Sequence, residues 1–126
     1  VFSSLAAKTR GRVEEPLFHY TDEKGYKAIS SQPTWLFKAF KPAGDRPKGA
    51  YFTDLPPGTK NLGKRLFVRG CADKTKFVFR FSGGEDLERL PGGRGDYIFF
   101  SKTDYPVEKD RQQEHGKTED VAKELE

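Results

Sequence analysis

The sequence predicts an α+β domain dominated by short strands, with small helices early in the chain. Three observations carry that expectation. Eleven Phe and five Tyr in 126 residues supply much of the apolar area, since each aromatic side chain buries a large surface. Thirteen Gly and eight Pro divide the chain into many short elements, which argues against a helical bundle. And Lys76-Phe77-Val78-Phe79-Arg80-Phe81 sets Phe at every second position, the period-two pattern of a half-buried strand. The length suits one domain with one core and is short for two.

Taken in order, residues 1–16 mix Ser, Ala, Lys, Arg and Glu and read as a lead-in segment, with room for a short helix, ending at the Pro16 break. Leu17 to Tyr20 is strand-like, placing Leu17 and His19 on one face and Phe18 and Tyr20 on the other. Thr21 is the expected N-cap of a helix whose first turn holds Asp22 and Glu23, acids suited to the positive end of its dipole. Tyr26, Ile29 and Ser30 share a face of that helix, which stops before Pro33. Thr34 to Phe37 is the next strand. Residues 38–48 contain Pro42, Gly44, Asp45 and Pro47 and read as a loop carrying Lys38, Lys41, Arg46 and Lys48.

Gly49 to Thr53 is a second clear strand, with Tyr51 and Thr53 facing opposite to Ala50, Phe52 and Asp54. Pro56-Pro57-Gly58 ends it. Thr59 then caps a short helix in which Leu62 and Leu66 point inward while Lys60, Lys64 and Arg65 stay outside. After the Phe-rich strand, Ser82-Gly83-Gly84 turns the chain, and residues 87–90 read as a short edge segment. Asp96 to Phe100 is the last strong strand. Residues 106–126 are mostly charged or polar and are expected to form a C-terminal tail, with a weakly docked helix over 119–126.

With 23 basic and 19 acidic residues the formal charge is +4. This leans mildly toward an anionic partner: nucleic acid, an anionic cofactor or an acidic protein. The single cysteine, Cys71, excludes an internal disulfide, and no Cys/His spacing suggests zinc, so no metal is expected. No apolar run approaches the ~20 residues of a membrane-spanning helix, and no signal peptide is visible. Methionine is absent, position 1 included, which is the pattern expected of a domain released from a longer precursor.

Three stretches bear chemistry: His19-Tyr20-Thr21, Gly49-Ala50-Tyr51-Phe52-Thr53 and Gly95-Asp96-Tyr97-Ile98. Singly, each has a plain structural role. His19 suits a satisfied core histidine, Tyr51 an ordinary strand core position, and Asp96 a turn-closing acid. Together and in this order they resemble the three signature strands of ADP-ribosyltransferases. The likeness is to the diphtheria-toxin and poly-ADP-ribose-polymerase side of that superfamily, whose signature is His-Tyr-Glu, and with an aspartate third to the toxin-type group with a His-Tyr-Asp signature. It covers residues 17 to 101; each motif is short, so its specificity lies in the three together.

The resemblance implies a split, two-sheet antiparallel β core with short helices, and a catalytic domain over residues 17–105. It implies cleavage of the nicotinamide–ribose bond of NAD, the substrate, through an oxocarbenium-like transition state akin to glycoside cleavage. In that scheme His19 hydrogen-bonds a ribose hydroxyl, the backbone of Tyr20 pairs with the nicotinamide carboxamide, and Thr21 adjoins it. Tyr51 stacks on the nicotinamide ring, and Asp96 holds the 2′-hydroxyl and stabilises developing positive charge. Asp54 is the alternative for the signature acid, although alternation turns it away from Tyr51.

Two departures accompany the likeness. Aspartate is shorter than glutamate, so Asp96 needs the backbone closer to the ribose. Leu62 stands where the family often carries a second aromatic, leaving the second face of the nicotinamide to Leu62, to Phe67 or to neither. The basic residues Arg46, Lys48, Lys60, Lys64, Arg65 and Arg69 are placed to meet the NAD pyrophosphate or an RNA target, or to form a solvated face. Gly92-Gly93-Arg94-Gly95 is not followed by a helix and reads as a target-facing turn rather than a phosphate loop.

The expected function is therefore that of a toxin or effector domain transferring ADP-ribose to a macromolecular acceptor, protein or RNA. Such effectors are secreted or injected, act in a target-cell cytoplasm, and are paired with a cognate immunity protein. NAD glycohydrolysis at the same site, or a non-catalytic NAD-, ADP-ribose- or RNA-binding module, are the alternatives.

Overall fold

The alternation in Leu17-Phe18-His19-Tyr20-Thr21 sends one set of side chains to each face of a strand, and in the folded chain both faces are covered. The computed structural model describes residues 10–13, 16–41, 46–67, 72–82, 84–90 and 96–125. Its strands are β1 (Arg10–Val13), β2 (Leu17–Thr21), β3 (Trp35–Phe37), β4 (Ala50–Thr53), β5 (Phe77–Phe81), β6 (Gly84–Arg89), β7 (Ile98–Ser101), β8 (Tyr105–Val107) and β9 (Gln112–Lys117). The helices are α1 (Glu23–Ser30), α2 (Leu62–Leu66) and α3 (Thr118–Leu125), with a 3₁₀ turn over Ala72–Thr75.

Every ladder is antiparallel. Seven strands form one sheet in the order β1-β6-β7-β4-β2-β5-β9, and β3 and β8 form a second, small sheet. The architecture is therefore α+β with a mostly antiparallel main sheet, a two-stranded partner sheet and few helices.

The partner sheet covers one face of the main sheet. Leu17, Phe52, Phe79, Phe81 and Phe99 of the main sheet pack there with Trp35, Phe37, Tyr105 and Val107, and Tyr26 and Ile29 of α1 join them. On the other face Phe18, Tyr20, Val78 and Ile98 pack with Leu62 and Leu66 of α2 and with Val121 of α3. Removing a large apolar side chain from water in this way stabilises the fold by roughly 1.5–3 kcal/mol each. β5 is consequently not half-buried: Val78, on the face expected to meet solvent, is fully covered alongside Phe79 and Phe81.

Several boundaries differ from the sequence expectation. Arg10–Val13, placed in a lead-in with a short helix, is a strand paired with β6; residues 1–9 lie outside the described residues. β6 is flanked by β1 and β7 rather than forming an edge. The helix cap is Asp22, not Thr21: Thr21 still pairs with Phe77 at the end of β2, so the next residue, whose Oδ1 accepts from the Gly25 N–H at 2.9 Å, takes the cap. Thr59 does not cap α2. Its hydroxyl donates to the Pro56 carbonyl at 2.7 Å, and the position before the helix is Asn61 with φ of 59°. Residues 106–126 are not a separate tail. β9 is registered with β5 from Phe77↔Lys117 to Phe81↔Gln112, and the expected helix follows as α3. His115 has exposed surface, yet its ring stacks against Phe79 with centroids 5.9 Å apart, and its Nδ1 lies 2.6 Å from the Tyr26 hydroxyl.

Candidate functional site

β2 and β4 are neighbours at the centre of the main sheet, yet their ladder holds a single registered pair, Phe18↔Thr53. The flanking ladders are fuller, five pairs for β2 with β5 and four for β4 with β7. Beyond Phe18 the two strands part, and Tyr20 and Thr21 have no registered partner on β4. A cavity of about 630 Å³ occupies this opening. Residues from both faces line it: Phe37 and Phe52 from one core, Tyr51 and Leu66 from the other. One cavity can touch both faces of a sheet where the strands between them separate.

His19 stands at the split. Its Nδ1 lies 2.9 Å from the Tyr51 carbonyl oxygen. A carbonyl only accepts, so Nδ1 carries the proton and Nε2 keeps its lone pair. The ring packs against Phe37 at 4.6 Å and Phe52 at 5.8 Å between centroids. Burial lowers its pKa from 6.5 to about 4, with the bond to Tyr51 acting weakly in the other direction. His19 is therefore neutral near pH 7 and offers an acceptor nitrogen on a ring that lines the cavity.

Tyr51 is held on three sides. Its ring stacks on Phe100 with centroids 5.4 Å apart and planes 17° from parallel. The Arg46 guanidinium lies over the ring at 6.0 Å, and the hydroxyl donates to the Pro47 carbonyl. Burial raises the phenol pKa, opposed by the Arg46 charge. Pro47 and Arg46 belong to a loop whose base is closed by paired backbone bonds between Phe40 and Gly49, at 2.9 and 3.0 Å. Gly49 is required at that base, because a Cβ there would stand 2.7 Å from the Ser101 carbonyl oxygen and 2.9 Å from Phe100 Cδ2.

Thr53 is the buried polar residue of β4, 2% exposed. Its hydroxyl donates to the Tyr97 carbonyl at 2.5 Å and accepts from the Leu55 N–H at 3.1 Å, which ties the end of β4 to the turn before β7. Tyr20 is buried, its hydroxyl donating to the Leu55 carbonyl at 2.8 Å, and burial raises its pKa.

The wall is cation-rich, with Lys24, Lys38, Arg46 and Lys74 against one acid, Asp22. That acid is engaged, one oxygen capping α1 and the other 3.2 Å from Lys74 Nζ. The Gly25 amide first, and Lys74 after it, hold its carboxyl below the usual range. Among the described residues no group of three or more His, Cys, Asp or Glu converges as a metal would need.

Of the residues expected at the site, His19, Tyr20, Thr21 and Tyr51 line the cavity together. Leu62 does not; it is buried in the core beneath, and Leu66 and Phe67 of the same segment reach the wall instead. Asp96 lies outside the wall too. It is exposed, in a helical turn two residues ahead of Ile98, which does line the cavity. Asp54 directly follows the wall residue Thr53 and is half-buried. Arg69, Cys71 and Gly92 to Gly95 lie outside the described residues.

Phe40, Lys24 and Lys74 were not singled out from the sequence. Among the described residues Phe40 is the large hydrophobic side chain left exposed, at 50%, and it meets Tyr51 edge-on at 6.3 Å. An isolated aromatic inside a basic loop was the available signal for it. Comparison of the chain with protein-family models, with curated proteins and with solved structures finds no match.

Proposed function

We propose that the chain is an NAD-dependent ADP-ribosyltransferase domain, with the cavity between β2 and β4 as its NAD site. The observation that carries this reading is the neutral His19 at the strand split, its Nδ1 fixed on Tyr51 and its Nε2 able to accept from a ribose hydroxyl. Tyr51 beside it, backed by Phe100, supplies a preorganised ring for the nicotinamide. The backbone of Tyr20, without a registered partner on β4, suits the carboxamide. Four cations against one acid around the wall suit a pyrophosphate.

In the reaction the C1′–N bond of the nicotinamide ribose breaks, and its electron pair returns to the pyridinium ring, which leaves as neutral nicotinamide. The acceptor's nucleophile bonds to C1′ and gives up its proton. Positive charge builds on the ribose in between, where a carboxylate at the 2′-hydroxyl stabilises it. Asp96 is the residue proposed for that task, with Asp54 as the alternative. Asp96 is exposed and two residues from the wall residue Ile98, a position that suits an acid meeting the substrate rather than the core.

The acceptor is proposed to be a macromolecule, and the role that of a secreted or injected effector, acting in a target-cell cytoplasm and restrained by an immunity protein. Incubation with labelled NAD and cell extract should label a macromolecule and release nicotinamide. Free ADP-ribose as the sole product would instead mark an NAD glycohydrolase. The place of Asp96 outside the wall favours one further reading, a module that binds NAD or ADP-ribose without turnover. Intact NAD after long incubation with a chain that binds it by calorimetry would establish that reading.

A further inference from the structure

Of the 23 basic and 19 acidic residues, eight basic and two acidic fall within residues 36–71, leaving the rest of the chain slightly acidic. Of this set, Lys38 and Arg46 line the cavity. The loop after β3 carries Lys38, Lys41, Arg46 and Lys48; α2 carries Lys64 and Arg65, all but Arg46 exposed. Arg46 joins the two segments, its Nη1 donating to the Leu66 carbonyl at the end of α2. Lys41 Nζ donates to the Arg46 carbonyl at 2.7 Å, which holds a second cation beside the first. Phe40, between Lys38 and Lys41 in the chain, presents a half-exposed ring edge-on to Tyr51, over which Arg46 also lies, and its backbone is fixed by the Phe40–Gly49 bridge.

We infer that this basic rim, Lys38 to Lys41 and Arg46 to Lys48 together with α2, binds a single-stranded nucleic acid, and that this strand is the acceptor presented to the cavity. The inference deepens the transferase reading and rests on it only for the word acceptor. Cations spaced along a rim track a phosphate backbone, and an exposed aromatic ring among them offers a sequence-tolerant platform for one unstacked base. An acidic protein would be attracted by the same charge. It would not call for an exposed aromatic ring on the same basic segment, which is what favours a nucleobase.

The test is fluorescence anisotropy with labelled 12-nucleotide oligo-U and oligo-dT, without NAD, at 50 and 200 mM salt. For about four neutralised phosphates the affinity should fall roughly 50-fold across that range, from a slope near 0.7 per phosphate. Lys48→Ala with Arg65→Ala, both exposed, should flatten the slope by about 1.4. Phe40→Ala should weaken binding by about tenfold with the slope unchanged, as loss of one stacked base predicts. Circular dichroism melts of each variant establish that it is folded.

Equal binding of RNA and DNA supports the inference as stated, and a preference for either identifies the acceptor's sugar. It is overturned if poly-Glu of equal length binds as tightly as the oligonucleotides, if the double variant leaves the slope unchanged, or if folded Phe40→Ala binds like the parent chain. Binding of the oligonucleotide with NAD left intact would sink the transferase reading and leave the surface standing. Turnover of NAD without oligonucleotide binding would do the reverse.

Discussion

The neutral, buried His19 makes acid stability the sharpest physical test of the site. In the unfolded chain its imidazole titrates near 6.5, and in the folded chain near 4. Because the folded value is depressed, the native state resists the proton that the unfolded state takes up. Stability due to this group is therefore intact above pH 6.5 and is lost as pH falls toward 4. At about 1.4 kcal/mol per unit of displacement, the full loss is about 3.5 kcal/mol, and roughly 2 kcal/mol of it occurs between pH 7 and 4.5. Solvent reaching the cavity side of the ring makes these upper figures.

The comparison is with His19→Gln, which keeps an amide donor for the Tyr51 carbonyl but has no titrating group. Urea unfolding of both chains at pH 7 and 4.5 measures the difference. The parent should lose about 2 kcal/mol more than the variant across that interval. Asp22 and Glu23, whose carboxyls are also held low, destabilise both chains alike in acid and cancel. Parallel losses in the two chains, or an imidazole proton resonance of His19 that titrates near 6.5 in the folded protein, would refute the assignment of a buried neutral ring at the strand split.

The remaining predictions concern the two acids, the β4 hydroxyl and the core. Asp96→Ala should lower ADP-ribose transfer on the order of 100-fold or more, as loss of a charge-stabilising group does, while Asp54→Ala stays close to the parent; the opposite ranking in a single-turnover assay moves the signature acid to Asp54. Thr53→Val should cost about 1–3 kcal/mol in thermal or urea unfolding, because the Leu55 N–H loses its acceptor in a buried setting. Phe79→Ala, at a fully buried ring shared by Trp35, Phe37 and Tyr26, should cost about 3–5 kcal/mol by the same measurement; a cost under 1 kcal/mol would contradict the single core beneath the partner sheet.

What could be read from the sequence followed from how far each feature depends on its neighbours. β2, β4 and β5 announce themselves by alternation, and the faces assigned to Leu17, Phe18, Tyr20, Ala50 and Phe52 are the faces they occupy. β9 offers no such signal. Gln112-Gln113-Glu114-His115-Gly116-Lys117 has no aliphatic residue, and it is a strand because β5 presents a ladder and Arg80 meets Glu114 at 3.1 Å. β8 is three residues with Pro106 at its centre, tolerable on a two-stranded sheet. The cover over Val78 was equally hidden, since Val121, one of the residues clustered with it, stands in a helix rich in acids.

The site divides in the same way. His19 and Tyr51 come together because adjacent strands carry them. The wall position of Lys74 depends on where the 3₁₀ turn folds back, and nothing local to residues 72–75 states that. Leu62 was assigned by its distance from Tyr51 along the chain, but a helix turns successive residues to different sides, so Leu62 faces the core while Leu66 and Phe67 reach the cavity.

A core role for His19 and a place in the candidate site are compatible at this position. A parted ladder in the middle of a covered sheet leaves carbonyls that must find donors, since a buried unpaired backbone group costs about as much as a lost hydrogen bond. The donor at the Tyr51 carbonyl must be neutral, because the surrounding rings of Phe37, Phe52 and Phe79 would penalise a charge. Lysine and arginine fail that condition, and serine is too short to reach from one strand to the next. An imidazole meets it with one nitrogen and has a second of opposite hydrogen-bonding character left over. The bond that repairs the sheet thus fixes the tautomer, and the fixed tautomer determines that a ligand at Nε2 must be a donor, as a ribose hydroxyl is.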